Sequence, residues 1–274
     1  MTIAIICARG GSRRLPRKNV KEFCGLPLVA WTIIQAKTSY LIDKVFVTTD
    51  DDEIEVVSKS FGAEIIRRPD WPDANECAAN RPILHAINVL LQRYGKEFDT
   101  VVTLLPTMPL NKPGDMDRGI TLYRQYGADV ISPAIVRRET CHMKKMSYNR
   151  TRCAIFDKKS QYLDGIGYSI TSPEWYIDYC NMQVSDLDAD LDKMENWIRI
   201  EGYWYPVEVW QYADTDTAEE FELGEVLMEH YICKGTGPQC YYDYLNQHTV
   251  QGIPYAGAGS FGNSMQLGQL GEIK

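Results

Sequence analysis

The sequence predicts an α/β protein built on a doubly wound, mostly parallel sheet. Short apolar runs alternate with longer stretches of helical periodicity through the first half of the chain. The strand candidates are continuously apolar, as strands covered on both faces are. The first of them ends at Gly10-Gly11, where a chain of this class turns over the carboxyl edge of the sheet and ligands bind.

Ile3–Ala8 reads as the first buried strand. Leu26–Ala36 is apolar at helical spacing, with Pro27 placed to start the helix. Lys44–Thr49 reads as the second strand and Asp51–Phe61 as its helix, opened by acidic residues that suit a helix N-terminus. Ala63–Ile66 reads as a third strand, Ala78–Tyr94 as a longer helix and Thr100–Leu105 as a fourth strand. A helix over Pro113–Tyr126 and a strand over Asp129–Ser132 follow. Residues 135–200 are less regular and rich in Lys, Arg, Tyr and Trp, which suggests a small inserted subdomain. Tyr203–Val209 reads as a returning strand. Thr217–Cys233 reads as a long helix with Thr217 as N-cap and Glu219 and Glu220 in its first turn. Residues 235–274 hold eight of the 20 glycines and are expected to form a flexible tail, since such a segment buries too little apolar surface to offset its backbone entropy.

The chain has 274 residues, 45% of them hydrophobic, with 29 Lys+Arg against 37 Asp+Glu and a formal charge of −8. That is a soluble globular composition. An acidic chain is a poor partner for nucleic acid or an anionic membrane, because phosphate neutralisation needs a net basic surface. No apolar run approaches the roughly 20 residues of a membrane span. The eight cysteines are scattered, with no C-x-x-C pair. Met1 is followed directly by Thr-Ile-Ala-Ile-Ile rather than by the charged n-region of a secretory signal. A cytoplasmic protein with reduced thiols is expected.

Local charge departs from the average. Arg9, Arg13, Arg14, Arg17, Lys18 and Lys21 all fall within positions 9–21, just after the first strand. Adjacent glycines let a backbone approach a ligand, and consecutive amides can form an anion-binding nest. Arginine adds a bidentate fork for phosphate oxygens. The stretch is neither a P-loop nor a dinucleotide fingerprint, since G-x-x-x-x-G-K-[ST] and G-x-G-x-x-G are both absent. A glycine pair beside six basic residues favours phosphate over a merely solvated loop.

Ala8-Arg-Gly-Gly-Ser-x-x-x-Pro-x-Lys-Asn19, followed by Gly25-Leu-Pro-Leu28, resembles the cytidylyltransferases that activate nonulosonic acids. Four further blocks keep that family's order: Val47-Thr-Thr-Asp-Asp51, Arg68-Pro69 with His85-Ala86, Pro106-Thr-Met-Pro-Leu110, and Asp214-Thr-Asp-Thr217 ahead of Phe221-Glu-Leu223. The resemblance spans about residues 3–233. It implies a Rossmann-like nucleotidyltransferase domain over 1–234, with residues 135–200 as an acceptor and dimerisation subdomain, and a homodimer. It also implies transfer of CMP from CTP to an acidic sugar such as sialic, pseudaminic or legionaminic acid, with release of pyrophosphate. Such chemistry needs a phosphate cradle and a divalent metal, Mg2+ or Mn2+.

By resemblance, Arg9, Lys18 and the Gly10, Gly11 and Ser12 amides hold the triphosphate, and Asn19 helps read the cytosine. Arg68 matches an arginine on the nucleotide side, with an ordinary strand-end surface arginine as the alternative. Asp214 and Asp216 match the metal-binding D-x-D pair. Residues two apart in an extended segment share a face and so can meet one cation, although aspartates ahead of Thr217 also suit helix capping. Arg9, Lys18 and Asp216 are the catalytic candidates, and either Asp216 or a metal-bound hydroxide could serve as the base. Lys144 aligns with a lysine for the sugar carboxylate, with a solvated basic face as the alternative. His85 and His142 are expected to be structural.

The acceptor half departs from the family. Leu105 stands where relatives have Gln, Met108 where they have Ser, and Asn111 where they have Arg. Asp164-Gly-Ile-Gly-Tyr168 replaces Asn-Gly-x-x-Tyr, and residues 181–196 look inserted, their acidic run 186–190 being read as a solvated loop. Leu105, Asp164 and Lys144 are therefore the acceptor-side candidates. A cytidylyltransferase for an octulosonic acid or a phosphonate, or a nucleotide-binding protein without turnover, are the competing readings.

Overall fold

A computed structural model of the chain describes residues 1–71, 79–137, 162–165, 167–185, 202–234 and 239–247. The strands that organise it are β1 (Thr2–Cys7), β4 (Lys44–Thr49), β5 (Glu64–Arg67) and β6 (Thr100–Leu104), joined by β7 (Val130–Arg137), β8 (Tyr162–Gly165), β9 (Tyr168–Thr171) and β10 (Gly202–Pro206). A two-stranded ribbon, β2 (Glu22–Phe23) with β3 (Leu26–Pro27), lies apart. The main sheet runs β10-β7-β9-β6-β1-β4-β5, with β8 also on β7. β1 pairs in parallel with both β4 and β6, and β4 with β5. Strand order therefore reverses direction at β1, which opens a crevice beyond its carboxyl end.

The alternation of side chains along β1 builds two apolar layers. Ala4 and Ile6 point into one core with α1 (Leu28–Lys37), α2 (Asp52–Ser60), α4 (Asp115–Tyr126) and α6 (Ala218–Met228). Ile3 and Ile5 point into the other with α3 (Asn80–Tyr94) and α5 (Pro173–Ser185). α1 is buried from Leu28 to Ala36, which explains why its sequence is apolar all round. The doubly wound expectation holds.

Several details differ from the sequence reading. Pro27 sits in the β3 ladder at the N-cap position, one residue before the first turn of α1. β10 ends at Pro206, and a 3-10 turn over Val209–Gln211 follows. The long helix stops at Met228 and continues as a π turn over Glu229–Cys233. Residues 135–200 are not wholly an insertion: β9 is antiparallel between β6 and β7, completing the main sheet, and α5 packs on α3. The expected tail is corrected in part. Its residues Gln239–Gln247 form helix α7, which packs on α1 through the fully buried Tyr241. The physical reason is the spacing of Cys240, Tyr241, Tyr244 and Leu245, which places their apolar parts on one helical face against the core. Residues 248–274 lie outside the described residues.

Candidate active site

The loop after β1, the residue after β5, the segment after β6 and the approach to α6 converge on one cavity of about 430 Å³. Arg9, Ser12, Arg14, Lys18, Asn19 and Arg68 contribute to its walls, as do Leu105, Pro106, Thr107 and Asp216. Because β6 is next to β1 on one side and β5 lies beyond β4 on the other, Arg68 and the 105–107 segment bracket the loop that follows β1.

That loop is held from below. Arg17 adopts a left-handed backbone, φ 59°, and its guanidinium forks onto Asp51 at 2.5 and 3.0 Å and reaches Glu53. Asp51 also caps α2 by accepting from the Ile54 amide at 3.0 Å. The Arg17 guanidinium holds the Asp51 carboxyl below its ordinary value, against the opposing effect of burial. Gly10 is required by contact: a Cβ there would stand 2.4 Å from Asp51 Oδ2 and 2.9 Å from Asp51 Cβ. Two of the three expected cradle amides are engaged internally. Gly10 N donates to Asp50 Oδ1 at 2.9 Å, and Ser12 N donates to the Gly10 carbonyl at 3.0 Å. The tight turn that brings the backbone to the cavity consumes these donors, so the side chains carry more of the anion-binding capacity than the sequence suggests.

Lys18 and Asn19 are buried in a 3-10 turn over Lys18–Val20. Asn19 Nδ2 donates to the Arg9 carbonyl at 2.9 Å, while its Oδ1 is buried with no partner among the described residues. Lys18 Nζ pairs with Asp216, and Arg14 pairs with the other oxygen of that carboxylate. Burial pushes the Lys18 ammonium down to about 8, opposed by the charge of Asp214. Burial likewise raises the Asp214 carboxyl, opposed by Lys18 and by a bond from Thr107. Asp214 Oδ1 is buried without a partner among the described residues. Helix capping does not account for this pair, because Thr217 performs it: its hydroxyl accepts from Glu220 N at 3.2 Å, and Glu220 Oε2 accepts from Thr217 N at 2.9 Å.

Arg68 is not a surface arginine. Only 7% of it is exposed, and its guanidinium donates to the Thr48 carbonyl at 2.8 Å and to Cys7 Sγ at 3.3 Å. Neither contact neutralises its charge. Leu105 lines the cavity. Met108 Sδ instead accepts from Gly167 N at 2.8 Å, and Asn111 is buried. Asp164 stands in β8 opposite Ile135 of β7. Lys144 and His142 lie outside the described residues. His85 stands against Trp71, with burial, aided by Arg68, lowering its imidazole. Arg14 and Thr107 were not singled out in the sequence. Arg14 was visible there only as part of the basic cluster, and Thr107 only as part of a motif.

Among the described residues no helix is long and apolar enough to cross a membrane. Residues 3–79 match the family model for cytidylyltransferases. The chain is 29% identical over 166 residues to CMP-N,N'-diacetyllegionaminic acid synthase of Legionella pneumophila, covering 58% of this chain and 70% of that one. It is 35% identical over 108 residues to pseudaminic acid cytidylyltransferase of Campylobacter jejuni, covering 39% and 47%. Most of the curated relatives are matched over less than two thirds of their own length. Among solved structures, a CMP:2-keto-3-deoxy-manno-octonic acid synthetase complexed with CTP is similar in fold. Its TM-score is 0.60 at 20% identity, covering 84% of this chain and 99% of that one. Residues 3–79 thus match the cytidylyltransferase family model, and the chain is similar over part of its length to CMP-nonulosonic acid synthetases.

Proposed function

We propose that this protein transfers CMP from CTP to an acidic sugar of the nonulosonic class and releases pyrophosphate. The observation that carries the proposal is the convergence of Arg9, Arg14, Lys18 and Arg68 on one cavity at the switch point of the sheet, with Asp216 among them. With Arg13, five cationic side chains line the cavity and suit a triphosphate. Forked guanidiniums and a buried ammonium neutralise its oxygens and hold the α-phosphate in line with the attacking hydroxyl. Lys18 reaches phosphate by exchanging its bond to Asp216. Asn19 Oδ1, without a partner among the described residues, is an acceptor suited to an amino group such as that of cytosine.

The residues present fit a divalent cation. Asp214 has a buried carboxylate oxygen with no partner among the described residues, and Asp216 is two residues away. Mg2+ characteristically takes one or two carboxylates and completes its shell with water and substrate phosphates. Asp214 and Asp216 would hold Mg2+ or Mn2+, which when bound neutralises charge on the phosphoryl oxygens. Leu105, Asp164 and Lys144 are assigned to the acceptor side by resemblance. A homodimer, as in the resembling family, is part of the same proposal. A reducing cytoplasm suits the reduced thiols of Cys24, Cys180, Cys233 and Cys240.

The test is pyrophosphate release on incubation with CTP, Mg2+ and separate nonulosonic, octulosonic and phosphonate acceptors. Release with a nonulosonic acid is expected. Release with another acceptor alone redirects the substrate assignment, and CTP binding with no release under any acceptor overturns turnover itself. Asp216→Asn is expected to lower kcat on the order of 10²- to 10³-fold while the circular dichroism spectrum stays unchanged. Near-normal turnover in that variant removes Asp216 from the machinery.

A further inference from the structure

Five consecutive carbonyls after β6 are each taken by a side chain or backbone donor. The Thr107 carbonyl accepts from Thr215 N at 2.9 Å and Thr215 Oγ1 at 3.1 Å. The Met108 carbonyl accepts from Asn111 Nδ2 at 3.3 Å, and the Pro109 carbonyl from Gln35 Nε2 of α1 at 2.5 Å. The Leu110 carbonyl accepts from Gln211 Nε2 at 3.0 Å. The Asn111 carbonyl accepts from the Tyr241 hydroxyl of α7, also at 3.0 Å. Asn111 Nδ2 also donates to Gln35 Oε1 at 3.1 Å, so the tethers from α1 and α7 meet at one residue. Gln35, Asn111, Gln211 and Tyr241 are all buried.

A segment with no regular ladder of its own is thereby tethered at every residue from 107 to 111. Its near end forms cavity wall at Leu105, Pro106 and Thr107, and the Thr107 carbonyl holds Thr215, the residue between Asp214 and Asp216. Groups that hold a reacting constellation through a second shell of hydrogen bonds are as consequential as the first shell, because small displacements there are costly. We infer that helix α7, through the Tyr241 hydroxyl, is a positioning element of the site, setting the 105–111 segment and, through the Thr107–Thr215 bonds, the stretch that carries Asp214 and Asp216. Tyr241 touches no substrate in this arrangement and acts through Asn111. This inference rests on the proposed cytidylyl transfer for its kinetic consequence, but not for its structural one.

Tyr241→Phe removes the hydroxyl and keeps the ring. Tyr244→Phe is the control: its hydroxyl donates to the Phe61 carbonyl at 2.8 Å, so it loosens the same helix without touching the segment. In Tyr241→Phe, hydrogen exchange is expected to accelerate in peptides covering 105–111. Affinity for Mn2+, read by paramagnetic resonance with CTP present, is expected to fall. The kcat for pyrophosphate release is expected to fall roughly 10- to 100-fold, with the Kd for CTP measured without metal unchanged because Arg9–Asn19 and Arg68 are not tethered by α7. Tyr244→Phe is expected to change none of these. Gln35→Met, which cuts the neighbouring tether to Pro109, is the second variant and must give the same local pattern. Wild-type exchange at 105–111 in a folded Tyr241→Phe or Gln35→Met overturns the inference, as does an equal effect from Tyr244→Phe. If the wild-type protein releases no pyrophosphate with any acceptor, the functional reading fails, and the exchange and Mn2+ measurements still decide the positioning role.

Discussion

Lys18 and Asp216 are separated by 198 positions, yet their side chains are bonded at the cavity. The sequence put both on the candidate site because their motifs are local, but it could not show that they meet. Arg68 illustrates the harder case. A strand-end arginine looks the same in sequence whether it faces water or the interior, and only the pairing of β4 with β5 buries it. Removing its charge with Arg68→Met is expected to raise the Kd for CTP about 10- to 100-fold, the loss of charge-assisted hydrogen bonds worth about 1.5–3 kcal/mol. Calorimetric titration with CTP in the absence of acceptor measures it. Asp51 gives a pH dependence. Its carboxyl is held below the unfolded value by Arg17, so its contribution to stability is present above that unfolded value and is lost as pH falls through the folded one. Solvent screening keeps this partly exposed pair to about 1 kcal/mol or less. Arg17→Met is expected to lower stability at neutral pH by about that amount, with the difference from the wild type shrinking as pH falls through the Asp51 range, read by denaturant titrations at several pH values followed by circular dichroism.

At the scale of elements, periodicity identified those whose burial pattern is set within one segment. β1, β4 and β6 are apolar because both faces are covered, and α2 and α3 show one buried face with buried positions such as Ile54 and Val57 or Ile83, Ala86, Ile87 and Leu90. β9 was not read because four residues, Tyr-Ser-Ile-Thr, carry almost no periodic signal, and their place is decided by partners far away in sequence. α7 was obscured by glycine-rich surroundings that dominated the composition of the stretch, although its own residues contain no glycine. The N-terminus of α6 was fully legible, because a capping box is a four-residue pattern. Thr217→Ala is expected to lower stability by about 1 kcal/mol, read as a shift of the thermal midpoint. A loss several times larger would mean that the approach to α6 depends on Thr217 for more than its cap.

For the molecule as a whole, the charge of −8 conceals a division: basic side chains face the cavity on the loop after β1, and carboxylates cluster where that loop and α6 meet. The order of strands adds a constraint on how the protein is made. β6, in the middle of the sheet, has β1 on one side and β9 on the other, and β9 lies more than 60 residues further along the chain. During vectorial synthesis, β1, β4, β5 and β6 are complete well before the strand that covers the open edge of β6 has left the ribosome. A bare, apolar, untwinned edge is a template for pairing between chains. Nascent chains stalled after Arg137 are accordingly expected to be protease-sensitive and to associate with one another or with holdase chaperones. Chains stalled beyond β10 with room to clear the exit tunnel are expected to gain protection. Equal protection at both lengths would show that the N-terminal half is stable without its late central strand. The antiparallel strand that completes the sheet thus makes this half of the fold wait for the other.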